Sequence, residues 1–314
     1  MPHQHHHNWV VLSLLHVLLV AIPLLPPASS STTVTTTSPH GTLTISTTDN
    51  VTIVTINNPP LNLLDLALAP DLFGFLSSLD PSNRTTPPPK VVIFRSGNPD
   101  FFIAHVDVNA FITPFTPAKG ALLSYYSPTL QLFQSLTTTI FIAEVDGRAT
   151  AGGNEILMWM DMVFAGPQAH CGSIETSLGV THGAGGMQYL ARRIGKARAL
   201  QYLLSGDSID CQTGNKIGWF NGCFTTRLEM ELFVEALAKR IALRPEGGLN
   251  ATKMGLQDLN PPHAVIDADM AAYIVLNAKP VAQALFKKLL VLGKNQSLGP
   301  FELGLDATLA ELYQ

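Results

Sequence analysis

The chain has 314 residues, of which 46% are hydrophobic and 13% charged, with a formal net charge of −4. That apolar content excludes a disordered protein, and the charge balance excludes a polybasic nucleic-acid binder that works by neutralising phosphates. Three cysteines are too few for a disulfide scaffold, and no CxxC or Cys/His cluster reads as a metal site. An enzyme-sized globular chain remains.

Residues 1–30 read as a separate object. The run from Val10 to Leu25 is apolar except for Ser13, His16 and Pro23, and Pro26, Pro27 and Ala28-Ser29-Ser30 follow it. A polar start, an apolar stretch and a small-residue exit form the pattern of a cleaved secretory signal. The run is short for a membrane span, so no stable span is expected. Its polar start carries His3, His5, His6 and His7 instead of Lys or Arg, and no function is assigned to them. Four sequons, at Asn50, Asn83, Asn250 and Asn295, fit a glycoprotein of the secretory pathway, secreted or lumenal. Cys211 and Cys223 could pair in an oxidising compartment, leaving Cys171 over. Residues 31–42, rich in Ser and Thr, read as a flexible lead-in.

Leu43-Thr-Ile-Ser and Val51–Ile56 alternate apolar and hydroxyl residues around Asp49-Asn50, which predicts strand, turn, strand. Leu64, Leu68, Leu72, Phe75, Leu76 and Leu79 stand at helical spacing. Asp80 to Pro89 is a proline-rich surface loop, and Val91-Val-Ile-Phe a buried strand. Further strands are predicted at Ile140–Val145 and Val163–Ala165. Helices are predicted at Glu155–Met162, near Glu175 and at Met187–Ile194. Repeated strand–strand–helix units indicate a mixed α/β core over 43–227. Residues 228–314 read as a helical region, with Leu228, Leu232, Phe233, Leu237 and Ile241 on one apolar face.

Chemistry concentrates in two stretches. In Gly147-Arg-Ala-Thr-Ala-Gly152-Gly153-Asn-Glu155, glycines between a strand and a helix let backbone amides approach a ligand. Such amides stabilise a carbonyl oxygen that gains enolate character. Glu155 either serves that site or merely complements the helix dipole. The second stretch, Cys171-Gly-Ser-Ile-Glu175-Thr-Ser-Leu-Gly179, precedes Gly183-Ala-Gly-Gly186. Two carboxylates in one desolvated site cannot comfortably both ionise, so a pair formed by Glu155 and Glu175 would supply an acid and a base together. Taken alone, Glu175 reads rather as a surface residue or a helix cap.

The order Asn58-Pro-Pro-Leu-Asn62, Phe102-Ile-Ala-His-Val-Asp107, Val145-Asp-Gly147 to Glu155, Glu175 to Gly186, Ile194-Gly-Lys-Ala-Arg-Ala-Leu200, Leu204-Ser-Gly-Asp-Ser-Ile-Asp-Cys and Ile217-Gly-Trp-Phe-Asn221 resembles the crotonase, or enoyl-CoA hydratase/isomerase, superfamily. The resemblance runs from about residue 43 to about residue 245. It implies a spiral of ββα units, assembled as a homo-trimer or hexamer, with a C-terminal helical region. It also implies an oxyanion hole for a thioester carbonyl, formed by the amides of Val106 and Gly152. Glu155 and Glu175 match the two glutamates with which hydratases of this family handle water and the α-proton. No cofactor is implied, CoA entering only as part of the substrate.

Three departures stand out. His105 replaces a glycine of the oxyanion loop, and His182 replaces the proline before Gly183, so either imidazole could line the site. The C-terminus lacks the family's basic-Pro-Phe tail for CoA, and Lys287, Lys288 and Lys294 read as a solvated helix face. The resemblance thus implies a lyase or isomerase acting on an acyl-CoA. The secretory features point instead to a CoA-independent dehydration, isomerisation or cyclisation of a carbonyl compound. A binding protein without turnover is the third reading.

Overall fold

The computed structural model describes residues 32–112 and 117–314, so the signal-like segment and its histidines lie outside the described residues. Strand β1 (Val34–Thr37) pairs antiparallel with β2 (Leu43–Thr48), and β2 pairs with β3 (Val51–Ile56). The β2–β3 hairpin closes at Asp49-Asn50, with Asp49 at φ +54°, a conformation Asp tolerates better than most residues. The stretch expected to be a flexible lead-in therefore contains an edge strand. Threonine suits a pleated surface, and the turn after β1 is pinned by Asp71 of α1 (Leu68–Ser77). Asp71 accepts hydrogen bonds from the Ser38 hydroxyl (2.5 Å), the Thr42 hydroxyl (2.7 Å) and the amides of His40 (3.1 Å) and Thr42 (3.2 Å).

Next come β4 (Val91–Ser96), β5 (Phe101–Ile103), α2 (Pro117–Ser135), β6 (Ile140–Val145), β7 (Arg148–Thr150), α3 (Gly152–Trp159), β8 (Met162–Ala165) and β9 (His170–Gly172). After α4 (Gly186–Ile194) and α5 (Lys196–Ser205) follow β10 (Ile209–Asp210), α6 (Cys211–Ile217) and β11 (Gly222–Cys223). The large sheet has the order β1-β2-β3-β4-β6-β8-β11 and the small one β10-β9-β7-β5. From β4 to β9, each turn of the chain adds one parallel strand to each sheet, which is the expected ββα spiral. Helix α3 starts at Gly152 and ends at Trp159, earlier than predicted at both ends. Met162 instead pairs with Ile142, and extended Met160 breaks the helix to allow it.

Helix α7 (Arg227–Ala242) closes the outer face of the large sheet with Met230, Val234 and Ala238 against Val91, Ile93, Ile142 and Phe164. The predicted apolar face is therefore corrected. Leu237 and Ile241 pack at its border, but Leu228 and Leu232 are 63% and 60% exposed. Phe233, half exposed, packs on Phe164 and Phe224. The remaining helices are α8 (Glu246–Gly255), α9 (His263–Asn277), α10 (Pro280–Leu292), α11 (Pro300–Leu303) and α12 (Leu305–Thr308). Among the described residues no helix is long and apolar enough to cross a membrane. Cys211 and Cys223 form a disulfide with Cα atoms 5.4 Å apart, and Cys171 is buried and free.

Candidate active site

The chain leaves β7 and enters α3 through Ala151, held at φ +51° and ψ −121°. This is a costly conformation for a residue with a side chain. Thr150 and Ala151 spend their amides on Ala104 O (3.0 Å) and Gly172 O (2.9 Å). Gly152, first in the helix, has no carbonyl one turn behind it to bond. A Cβ on Gly152 would stand 2.4 Å from Val106 Cγ2, and one on Gly153 2.2 Å from Ile103 O, so only glycines let the helix begin here. Facing them, Leu64 donates to His105 O (2.9 Å) and accepts from the Asp107 amide (3.1 Å). This grip straddles Val106. Among the described residues, neither the Val106 amide nor the Gly152 amide donates to a backbone acceptor.

Both residues line a largely apolar cavity of about 70 Å³ together with His105, Glu155, Glu175 and Gly183. Glu155 Oε1 accepts the amides of Ala184 (2.9 Å) and Gly186 (3.2 Å), and Oε2 accepts the Tyr126 hydroxyl (3.1 Å). A Cβ on Gly186 would stand 2.9 Å from Oε1, so the glycine run leaves the carboxylate its place. Glu155 is thus no solvated dipole partner: it is 4% exposed and bound on both oxygens. Burial and the Glu175 charge raise its pKa to about 7, against the opposing pull of His182, the Ala184 amide and Tyr126.

Glu175 opens a 3-10 turn, Glu175–Leu178, and is buried. His182 Nε2 lies 3.2 Å from Glu175 Oε2, out of hydrogen-bond alignment, so the contact is one of charge. Burial disfavours the imidazolium, but Glu175 and then Glu155 outweigh it, and the pKa of His182 rises. His182 does not line the cavity; it stands behind Glu175. His105 does line it, with its ring turned to Glu302: Nε2 is 3.0 Å from Glu302 Oε2, and Nδ1 2.9 Å from Val106 O.

Several site residues carried no local signal. Tyr126 comes from α2, and Met270 and Tyr273 of α9 with Phe286 and Leu289 of α10 complete the apolar wall. The helical region beyond 228 therefore builds part of the cavity. Lys287 and Lys294 are exposed and Lys288 is half-buried. Of the sequon asparagines, Asn50, Asn83 and Asn295 are exposed, whereas Asn250 is half-buried in α8 with its Oδ1 buried. Among the described residues no group of His, Cys, Asp and Glu side chains could hold a metal ion.

A family model described as enoyl-CoA hydratase/isomerase matches residues 46–256. The 2,3-dehydroadipyl-CoA hydratase of Escherichia coli (strain K12) is 32% identical over 216 residues, covering 68% of this chain and 81% of that protein. The peroxisomal fatty acid beta-oxidation multifunctional protein AIM1 of Arabidopsis thaliana is 31% identical over 172 residues, 54% of this chain but only 23% of that one. A crystal structure from Streptomyces avermitilis, assigned as an enoyl-CoA hydratase, superposes with a TM-score of 0.78 at 30% identity, covering 88% of this chain and 98% of that one. With the strand order, the paired amides and the two glutamates already in view, the conclusion is that this chain belongs to the enoyl-CoA hydratase/isomerase family of the crotonase superfamily.

Proposed function

We propose that the protein is a lyase or isomerase of this family that holds an acyl thioester by its carbonyl and adds or removes water, or moves the double bond. The observation that carries the reading is the meeting of two amides, Val106 and Gly152, and two buried glutamates on one apolar cavity. The amides receive the carbonyl oxygen as negative charge develops on it. In hydration, Glu155 and Glu175 take a proton from water as its oxygen bonds to Cβ, then return a proton to Cα of the enolate. The net change is one water added across the double bond. Assembly as a homo-trimer or hexamer belongs to the same reading.

The test is hydration of a short enoyl-CoA by folded protein beginning at Ser31, followed by loss of the conjugated-thioester absorbance. Turnover by the wild type that fails in Glu155→Gln supports the reading. A folded wild type that leaves the thioester untouched overturns it for CoA substrates.

A second reading is favoured by the Cys211–Cys223 bridge, since structural disulfides persist in oxidising compartments. In it the chain matures in the secretory pathway, behind a cleaved signal and with glycans on its sequons. The same site then acts on a carbonyl compound that is not a CoA ester. The Arabidopsis relative is peroxisomal by name, so this location rests on the chain's own sequence and cysteines.

A further inference from the structure

The loop that carries Val106 is gripped from the far end of the chain. His105 and Glu302 are each only 4% exposed, and they meet at 3.0 Å across 197 residues of sequence. The other ring nitrogen of His105 lies 2.9 Å from Val106 O. A neutral imidazole has one N–H and can serve one of two acceptors, whereas an imidazolium serves both. Both partners here are acceptors. Burial works against the charged ring, but the Glu302 carboxylate, Val106 O and Asp107 together raise the His105 pKa.

Gln296 makes a second grip beside the first. Its Oε1 accepts the Val108 amide at 2.8 Å, and its Nε2 donates to Asp107 Oδ1 at 2.7 Å. The backbone is bent to deliver it: Lys294, Asn295 and Gln296 have φ of +47°, +55° and +59°. Three successive side-chain-bearing residues in that region are costly and persist only where the surroundings hold them. Gly293 belongs to the same arrangement, because a Cβ there would stand 2.8 Å from Glu302 Oε1. On the other side, Leu64 holds the peptides before and after Val106.

We infer that Glu302 and Gln296 are positioning residues, which act through His105 and Asp107 to fix the direction of the Val106 N–H. The C-terminal segment is then a working part of the oxyanion hole. The segment reaches the loop at His105 from Glu302 and at Asp107 and Val108 from Gln296. This inference rests on the reading of Val106 N–H as a donor to the substrate carbonyl.

The test uses the full chain with Glu302→Ala, Glu302→Gln and Gln296→Ala. Two quantities are measured: amide hydrogen exchange across residues 104–108, and kcat and KM for a short enoyl-CoA. In Glu302→Ala, exchange in that segment should rise about tenfold while β6 stays protected. Its kcat should fall by about 10- to 100-fold, with KM changed by less than about twofold. Glu302→Gln keeps an acceptor for Nε2–H and should recover part of kcat. If Glu302→Ala does not fold, Gln296→Ala and Glu302→Gln carry the same comparison. Wild-type exchange in folded variants overturns the inference, as does a kcat that falls only with the folded fraction. Faster loop exchange in a protein whose wild type ignores the thioester supports the grip and removes the substrate reading instead.

Discussion

His182 Nε2 lies 3.2 Å from Oε2 of the cavity-lining Glu175, so one imidazole stands against two buried glutamates. An imidazolium there lowers the Glu155 pKa together with the Ala184 amide and the Tyr126 hydroxyl, against burial and the repulsion of Glu175, which raise it to about 7. Removing it takes away an influence that lowers the Glu155 pKa, which favours protonated Glu155.

The pH profile of kcat/KM in His182→Gln follows from this relationship. The inflection that Glu155 contributes near pH 7 should move to higher pH in the variant, because a lowering influence has been taken away. An inflection that stays in place or moves to lower pH would show that His182 does not act on the pair.

Glu155→Gln tests chemistry apart from folding. A glutamine oxygen at the Oε1 position can still accept from Ala184 and Gly186, and its amide can donate to the Tyr126 oxygen. Melting temperature should therefore change little, while kcat falls about 10²- to 10⁴-fold. Glu175→Gln should lose kcat by a similar factor. Steady-state kinetics beside thermal melts of both variants decide the matter.

Gly152→Ala probes the oxyanion amides. The added methyl would stand 2.4 Å from Val106 Cγ2, so one donor must move away from the other. A loss of about 10²- to 10³-fold in kcat is expected, the cost of losing one such donor. Turnover within a few fold of wild type would place the carbonyl elsewhere.

Asp71→Ala addresses stability far from the cavity. It removes one carboxylate that holds two hydroxyls and two amides between β1 and α1, at a cost of about 3 kcal/mol. Burial raises the Asp71 pKa, but the bonds from Ser38 and Thr42 more than offset it, leaving it below its ordinary 3.8. This stabilisation is therefore present above pH 3.8 and is lost as pH falls through the lower folded value. Urea unfolding of wild type and variant at neutral and acid pH should show the gap between them closing only under acid.

Reduction of the Cys211–Cys223 bridge should destabilise the fold by about 3 kcal/mol, from the loop its sequence separation of 12 closes. Cys211→Ala/Cys223→Ala should match reduced wild type in denaturant titrations. A midpoint that ignores reductant would mean that the bridge does not form in solution.

The local elements of the core were legible because each rests on neighbours in the chain. Val51–Ile56 alternates and forms β3, Asp49-Asn50 turns, and glycines at 152 and 153 open a helix. The motif order also identified the family; of the residues it named, His105, Val106, Gly152, Glu155, Glu175 and Gly183 line the cavity and His182 does not. Tertiary structure decided what depends on partners distant in sequence. Leu228 and Leu232 match the helical period as well as Met230 and Val234 do, and only the sheet surface selects between those stripes. The Thr-rich start becomes a strand only because β2 and Asp71 are there to receive it. Burial separates Glu155 from an ordinary helix-start carboxylate, and burial is a property of the assembled core. Tyr126 and Glu302 carry no local pattern, because a hydrogen bond spanning 29 or 197 residues leaves no period in the sequence. Sequence determined which groups the site has; packing determined which of them touch, and hence their charge and direction.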